Sequence, residues 1–161
     1  MVHINDNSKV LDYFEVIMKD FIVERLSHVK NWWNACVPPE IREDASRRHG
    51  RAKKINNVLN KPDYGIVEYL NFDGYEKIIS RKDNWKAHFE DVFLDKTIFE
   101  YKMRVILSLR NDVRRGRVLD EINSIRLRLH CYDILSQVQE ARNSDARDRQ
   151  SMVQKLGFRT D

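Results

Sequence analysis

Apolar residues recur every three or four positions along most of the chain, which is the spacing of one buried helix face. The first series begins after Asn7 and Ser8, both favourable N-cap residues, and extends to about Lys30. Its apolar positions are Val10, Phe14, Ile17 and Phe21. Pro38 and Pro39 end this stretch, and because proline fits the first turn of a helix, a second helix is predicted from Pro39 to about residue 57.

The middle of the chain, residues 58–95, has an irregular pattern. Turn signals occur around Pro62 and Gly74, and short apolar clusters lie between and after them. The last of these clusters has helical spacing: Trp85, Phe89, Val92. A two-residue hairpin signal is missing throughout, so we predict three short helices rather than strands.

Two long helices are predicted after this region. The first extends from Lys96 to about Arg115, with Gly116 following it as a left-handed C-cap. The second extends from about Leu119 to Ala141. We expect its buried stripe to be Ile122, Ile125, Leu129, Tyr132 and Leu135. Together these patterns predict an all-α fold, a helical bundle of three long helices with several short ones.

The composition agrees with one helical domain. The 161 residues are 34% charged and include only five Gly and three Pro, which is typical of long helices and not of a sandwich, a barrel or a disordered chain. We assign residues 1–142 to this domain. Residues 143–161, where the apolar pattern ends, are predicted to be a C-terminal tail or a linker to a further module.

The cysteines and the hydropathy pattern bear on the compartment. Cys36 and Cys131 are far apart and form no disulfide framework, which favours a reducing compartment. The N-terminal sequence lacks a basic-then-apolar signal pattern, and no apolar run approaches 18 residues. We therefore expect a cytoplasmic protein without a membrane partner. Lys and Arg exceed Asp and Glu, 29 against 25, which is compatible with an anionic partner.

Several kinds of catalytic site have no signal in the sequence. The chain has no Gly-rich phosphate loop, no Cys or His pair at metal-ligand spacing and no Gly-x-Ser-x-Gly motif. The five histidines are scattered over different predicted elements. We therefore expect no metal site and no cofactor.

The segment LRNDVRRGR, residues 109–117, is the most informative stretch. On a helical wheel Arg110 lies inside the apolar arc, and because a buried guanidinium is costly without a partner, we expect an acidic side chain to receive it. Arg114, Arg115 and Arg117 lie at the C-terminal end of the helix, where the helix dipole favours cations. From these residues alone, a surface cluster that complements the dipole is the simpler interpretation, and an anion-binding site is the alternative.

A second basic cluster lies in the predicted helix that follows the prolines. Its members are Arg47, Arg48, Arg51 and Lys54. They form either a face that follows a phosphate backbone or an ordinary solvated helix face. The two neighbouring tryptophans, Trp32 and Trp33, are either stacking platforms for bases or core residues, and we favour the core.

The arginine-rich segment and its surroundings resemble the HEPN superfamily (higher eukaryotes and prokaryotes nucleotide-binding). That family's pattern is an Arg, commonly followed by Asn, with a His a few residues later and often a Gly next; Arg110, Asn111 and Gly116 match it. The upstream segments NWWNACVPPEIREDASRR and YLNFDGYEKIISRKDNW are similar to the branch joined to helicase or ATPase modules in RNA surveillance and phage defence. The resemblance spans about residues 10–140.

This resemblance implies a helical bundle that forms a homodimer, with two motif helices lining one shared cleft, and it implies RNA or a nucleotide as the ligand. Active members are metal-independent ribonucleases, in which the His transfers a proton and the Arg stabilises the phosphorane. By this resemblance the catalytic positions are Arg110, Asn111 and Arg115. The expected nucleic-acid contacts are Arg114, Arg117, Arg47, Arg48, Arg51 and Lys54.

The chain departs from the family pattern at Arg115, where the His is expected. An arginine stays charged at neutral pH and cannot act as a general base. We therefore expect an RNA- or nucleotide-binding homodimer with a degenerate ribonuclease motif. One alternative is an active metal-independent endoribonuclease of a defence or toxin system that uses another proton carrier. The other is a purely structural dimerisation domain.

Overall fold

The structure is a computed structural model that describes residues 4–157, so residues 158–161 of the predicted tail lie outside the described residues. Within that range all regular structure is helical, and the predicted all-α fold is confirmed. The long helices are α1 Ile4–Leu26, α3 Pro39–Val58, α7 Lys96–Arg114 and α8 Glu121–Lys155. The short helices are α2 Trp32–Cys36, α4 Phe72–Ser80, α5 Lys82–Asn84 and α6 Glu90–Phe93. A 3₁₀ turn at Ile66–Tyr69 and a π turn at Trp85–Phe89 complete the order.

Side-chain caps fix where the helices around the arginine-rich segment begin. Before α7, Asp95 accepts a hydrogen bond from the backbone N–H of Ile98 at 2.9 Å. Before α8, Asp120 accepts one from the backbone N–H of Asn123 at 2.7 Å. Gly116 has a φ of 78° just after α7, the left-handed conformation that the sequence predicts. The connection between α7 and α8 is therefore short, and the two helices pack against each other as antiparallel neighbours.

The centre of the fold is the predicted bundle of three long helices, α1, α7 and α8. α1 packs against both α7 and α8; α4 packs on α1 and α7, and α6 packs on α7 and α8. Aromatic rings fill much of the core, and those of Phe93 and Phe99 stack with their centroids 4.4 Å apart. Among the described helices, none is long and apolar enough to cross a membrane.

The predicted buried stripe of α8 is wrong for four of its five residues. Four are more than half exposed: Ile122, Ile125, Leu129 and Tyr132. Only Leu135 packs partly against the core. The buried residues are Ser124, Leu127, Cys131, Ile134 and Val138. They lie on the opposite face of the helix, where the Asn7 amide of α1 donates to the Ser124 hydroxyl at 3.1 Å.

The first helix is shorter at its C-terminal end than predicted. α1 ends at Leu26 rather than near Lys30, and a turn that closes at Asn31, with a left-handed φ of 57°, leads into the next helix. The two tryptophans therefore belong to the separate short helix α2.

The last helix is longer than predicted. α8 continues past Ala141 to Lys155, because neither Gly nor Pro interrupts the polar residues before Gly157. Arg142 anchors the first turn of this extension by donating two hydrogen bonds to the Glu24 carboxylate of α1, at 2.6 and 3.0 Å. Beyond this turn most side chains are exposed, so the extension projects from the bundle.

Candidate nucleic-acid interface

The predicted catalytic arginine is bound to a carboxylate of its own chain. The Arg110 guanidinium donates to Glu15 of α1 at 2.5 Å, and each of the two side chains is 22% exposed. The guanidinium also lies over the Phe72 ring, 5.3 Å from its centroid. The expectation that an acidic side chain receives Arg110 is therefore confirmed. Because the pair is largely buried, its two charges offset each other and it offers a ligand little net charge.

Arg114 lies one turn further along α7 and faces the same helix, α1. Its guanidinium donates to Asp12 at 2.6 Å, to Glu15 at 3.4 Å and to the Ser8 hydroxyl at 3.1 Å. Two arginines of α7 and two carboxylates of α1 thus form one cluster in which the formal charges cancel. A phosphate group that approached these arginines would have to displace a carboxylate from each.

The remaining residues of the segment differ in how they are paired. Asn111 is half-buried, and its side-chain oxygen accepts a long hydrogen bond of 3.4 Å from Arg110. Arg117 pairs with Asp112 at 2.8 Å. Arg115 is exposed at the end of α7, and its side chain makes no ion pair or hydrogen bond within residues 4–157. The structure therefore brings Arg110, Asn111 and Arg114 together against α1 and leaves Arg115 in solvent.

His130 does not replace the missing histidine. It is half-buried on α8, where its ring contacts the Tyr101 ring edge-to-face with centroids 6.1 Å apart. Burial, and next the charge of Lys102, lower the pKa of His130 below its ordinary value. Tyr101 precedes Arg110 by nine residues, which is roughly 13 Å along a helix axis. His130 therefore lies too far along the bundle to share a reacting phosphate with Arg110.

The second basic cluster lies on a part of the fold that stands away from the bundle. α3 packs mainly against α2 and the 3₁₀ turn, and its C-terminal half is largely exposed. The residues predicted there share one side of this half, which we call the α3 basic face: Arg47, Arg48, Arg51 and Lys54. Asp44 pairs with the first two, at 3.3 and 2.9 Å. The other two have no acidic partner among the described residues.

The opposite side of α3 contacts the segment that follows this helix in the sequence. His49 hydrogen-bonds Asp63 at 2.7 Å and stacks on the Tyr69 ring at 5.3 Å. Asp63 also accepts a bond from the Gly65 N–H at 3.0 Å and pairs with Lys53 at 3.5 Å. The Gly65 N–H, followed by His49, lowers the pKa of Asp63 to about 2. These contacts hold one side of α3 and leave the α3 basic face directed into solvent.

The tryptophans do not form an open stacking platform. Trp32 and Trp33 are half-buried and pack against the core, with their rings edge-to-face at 5.7 Å. This favours the structural interpretation over base stacking.

The acidic residues of α1 are the part of the site that sequence reasoning missed. Asp12 and Glu15 are three residues apart, so both lie on the side of α1 that faces α7. That spacing is a signal in the sequence, but it is common on exposed helix faces, and nothing in it specifies which helix lies opposite.

A metal site and similar proteins are two further sources of evidence on function. Within the described part of the chain, no group of three or more His, Cys, Asp or Glu side chains is arranged to hold a metal ion. Comparisons with protein-family models, with curated proteins and with solved structures found no match. Function has to be inferred from the contacts described above.

Proposed function

We propose that this chain is a HEPN-like, non-catalytic RNA-binding module that acts as a homodimer and binds the phosphate backbone through the α3 basic face. The observation that carries the proposal is the contrast between the two arginine clusters. Arg51 and Lys54 are exposed and have no acidic partner among the described residues. Arg110 and Arg114, in contrast, share two carboxylates of α1. A cation that has no acidic partner is available to neutralise a phosphate, and this neutralisation releases counterions from the RNA.

The absence of cleavage follows from the residues at the motif. Cleavage needs a group that transfers a proton near neutral pH and a cation directed at the phosphorane. Arg115 occupies the position of the proton-transferring group, but an arginine stays charged. Arg110 occupies the position of the cation, but it is bound to Glu15. The chain therefore retains the helices of the family's site without its chemistry.

Binding of a labelled single-stranded RNA at several salt concentrations tests the proposal. The variant Arg51→Gln/Lys54→Gln should bind more weakly than the wild type. If each side chain neutralises one phosphate, the slope of log Kobs against log salt should become less steep by about 1.4, since each contact to a single strand contributes about 0.7.

A matched control separates this site from general attraction. Lys82→Gln/Lys86→Gln removes the same number of exposed charges from α5 and the π turn. An equal loss of affinity in both variants would contradict the α3 basic face as the contact. Incubation of the RNA in EDTA completes the test: intact RNA supports a non-catalytic module, and cleavage products would establish the alternative of an active metal-independent endoribonuclease.

A structural dimerisation domain is the second candidate. The observation that favours a structural role over RNA binding is that Arg110, Arg114 and Arg117 all pair with carboxylates of their own chain. In that case the wild type forms a dimer and binds RNA no better than the Arg51→Gln/Lys54→Gln variant does.

A further partner is proposed from the resemblance alone. The branch that this chain resembles is joined to helicase or ATPase modules, so we expect such a module to work with it in a phage-defence or toxin system. Co-purification of an RNA-stimulated ATPase with the chain from its native host tests this expectation. Recovery of the chain without ATPase activity would contradict it.

A further inference from the structure

α8 carries an apolar face that the fold leaves in solvent. We call it the outer stripe: Ile122, Ile125, Leu129 and Tyr132, which are 63, 55, 53 and 69% exposed. The spacing of these residues is three, four and three, which is the spacing of positions a and d in a heptad. Val118, in the α7–α8 connection just before the helix, is 71% exposed.

The other sides of α8 are occupied by the chain itself. One flank faces α7, where Lys102 pairs with Asp133 at 3.4 Å. The other flank faces α1, where Arg142 binds Glu24. Between these flanks lies the buried face around Leu127. The outer stripe is therefore the side of α8 that remains for a second molecule.

The outer stripe is large for the surface of a monomer. Its four residues are each more than half exposed and lie side by side on one helix face, whereas exposed apolar residues on a monomer are usually scattered singly. A standard interface covers about 800 Å² on each partner and has an apolar centre with a polar rim. The apolar stripe and the charged residues beside it match that arrangement.

The charges beside the stripe favour a second copy of this chain with its α8 parallel. With the stripe at positions a and d, the g positions are Glu121 and Arg128, and the e positions are Arg126 and Asp133. In a parallel pair each g residue lies beside the e residue five positions later on the other helix. Glu121 then faces Arg126 of the partner subunit. Arg128 and Asp133 are already held within their own chain, by Asn7 and Lys102, so the oppositely charged pair of Glu121 and Arg126 is the one that favours the parallel orientation.

An antiparallel pair over the same stripe has the opposite electrostatics. If Ile122 faced Tyr132 of the partner subunit, Arg126 would lie near the partner's Arg126. Like charges opposed across a helix pair are unfavourable. The charges therefore select the orientation, whereas the apolar residues alone permit both.

We infer that the outer stripe is the face on which a second copy of this chain packs, with the two α8 helices parallel and in register about a twofold axis. The inference rests on the homodimer in the proposed function and is independent of RNA binding. In this arrangement each stripe residue faces its own counterpart, so that Tyr132 lies next to Tyr132 of the partner subunit.

Light scattering of a surface variant tests the face. The wild type should be a dimer at micromolar concentration, and Leu129→Glu should be a monomer with unchanged helix content, because residue 129 is exposed in the folded chain. Val58→Glu is the matched control on α3, where Val58 is 83% exposed, and it should stay a dimer. A monomeric wild type would overturn both the homodimer and this inference. A Leu129→Glu variant that stays a dimer would overturn this inference alone.

Disulfide cross-linking tests the orientation. Tyr132→Cys should form a covalent dimer on mild oxidation, whereas the wild type should not, because its Cys36 and Cys131 are buried. Ser46→Cys, exposed on α3, is the control for random collisions. A covalent dimer only in a mixture of Tyr132→Cys with Ile122→Cys would show an antiparallel pair and overturn the proposed orientation. Cross-linking of Tyr132→Cys no faster than that of Ser46→Cys would do the same.

Discussion

Glu15 determines what Arg110 can do. The carboxylate accepts a hydrogen bond from Arg110 at 2.5 Å and another from Arg114 at 3.4 Å, so one acid on α1 serves two cations on α7. A guanidinium whose charge is offset in this way stabilises the contact between two helices. It is poorly suited to stabilise a charge that develops on a substrate, because that charge would compete with the carboxylate.

The first prediction concerns the stability of this pair. Arg110→Ala should lower the free energy of unfolding by about 3 kcal/mol, since it leaves a largely buried carboxylate with only its weaker contact to Arg114. Arg115→Ala should change it little, because residue 115 is exposed and has no partner within residues 4–157. Urea unfolding followed by circular dichroism measures both. Equal unfolding midpoints would contradict the structural role of Arg110.

The second prediction concerns the missing histidine. The resemblance by itself predicts that Arg115→His would restore metal-independent cleavage, since an imidazole can transfer a proton near neutral pH. The ion pair with Glu15 changes that expectation, and we predict that Arg115→His alone leaves RNA intact in EDTA. Cleavage by a folded Arg115→His protein would show that Arg110 remains available to a phosphate despite Glu15.

At the scale of elements, α7 and α8 show why the sequence predicted one helix well and the other poorly. α7 has one apolar face, an Asp cap at residue 95 and a Gly at residue 116, so its ends and its orientation follow from local signals. α8 has apolar residues on two opposite faces. Both faces carry aliphatic residues, so the sequence pattern does not distinguish them, and packing on α1 selects the face with Ser124 and Leu127. That choice depends on a neighbouring helix and is not encoded locally.

The same limit applies to the candidate site. The need of Arg110 for an acidic partner could be predicted, because the cost of burying a lone guanidinium is a local property. The identity of that partner could not be predicted, because Glu15 is 95 residues away in the chain. The exposure of the α3 basic face also depends on how α3 stands relative to the bundle.

The third prediction concerns pH and the contact between α7 and α8. Burial, and next Lys102, lower the pKa of His130 in the folded chain, so the unfolded chain takes up a proton at a higher pH than the folded chain does. The contribution of His130 to stability is therefore complete above about pH 6.5, the ordinary value, and decreases as the pH falls below it. Tm should be lower at about pH 5.5 than at about pH 7.5, and His130→Gln should make that difference smaller.

A second histidine provides the comparison. Burial, and next His28, lower the pKa of His88, so His88 contributes to stability with the same sign. The double variant His88→Gln/His130→Gln should therefore show the weakest dependence of Tm on pH. An unchanged pH dependence in both variants would contradict this account.

At the scale of the whole molecule, the two proposed surfaces lie on different elements: α3 for RNA and α8 for the second copy. α8 packs on α1 and α7, whereas α3 packs mainly on α2 and the 3₁₀ turn. Changes to one surface should therefore leave the other intact.

The fourth prediction follows from having one α3 basic face on each copy. A dimer binds a long RNA at two places, so the second contact forms at a high effective concentration. The wild type should gain affinity when the RNA becomes long enough to reach both faces, whereas Leu129→Glu should gain none beyond the added statistical sites. Equal length dependence in the two proteins would contradict cooperation between copies. Titrations with short and long oligonucleotides of one composition measure it.

The extension of α8 beyond Ala141 has a consequence for how two copies present their surfaces. A helix of 35 residues spans roughly 52 Å, and its last turns stand clear of the bundle. When two such helices are parallel, both C-terminal extensions project from the same end of the dimer, and the opposite end has none. The two ends of the twofold axis of the proposed dimer therefore differ, with a pair of identical helices projecting at one end only.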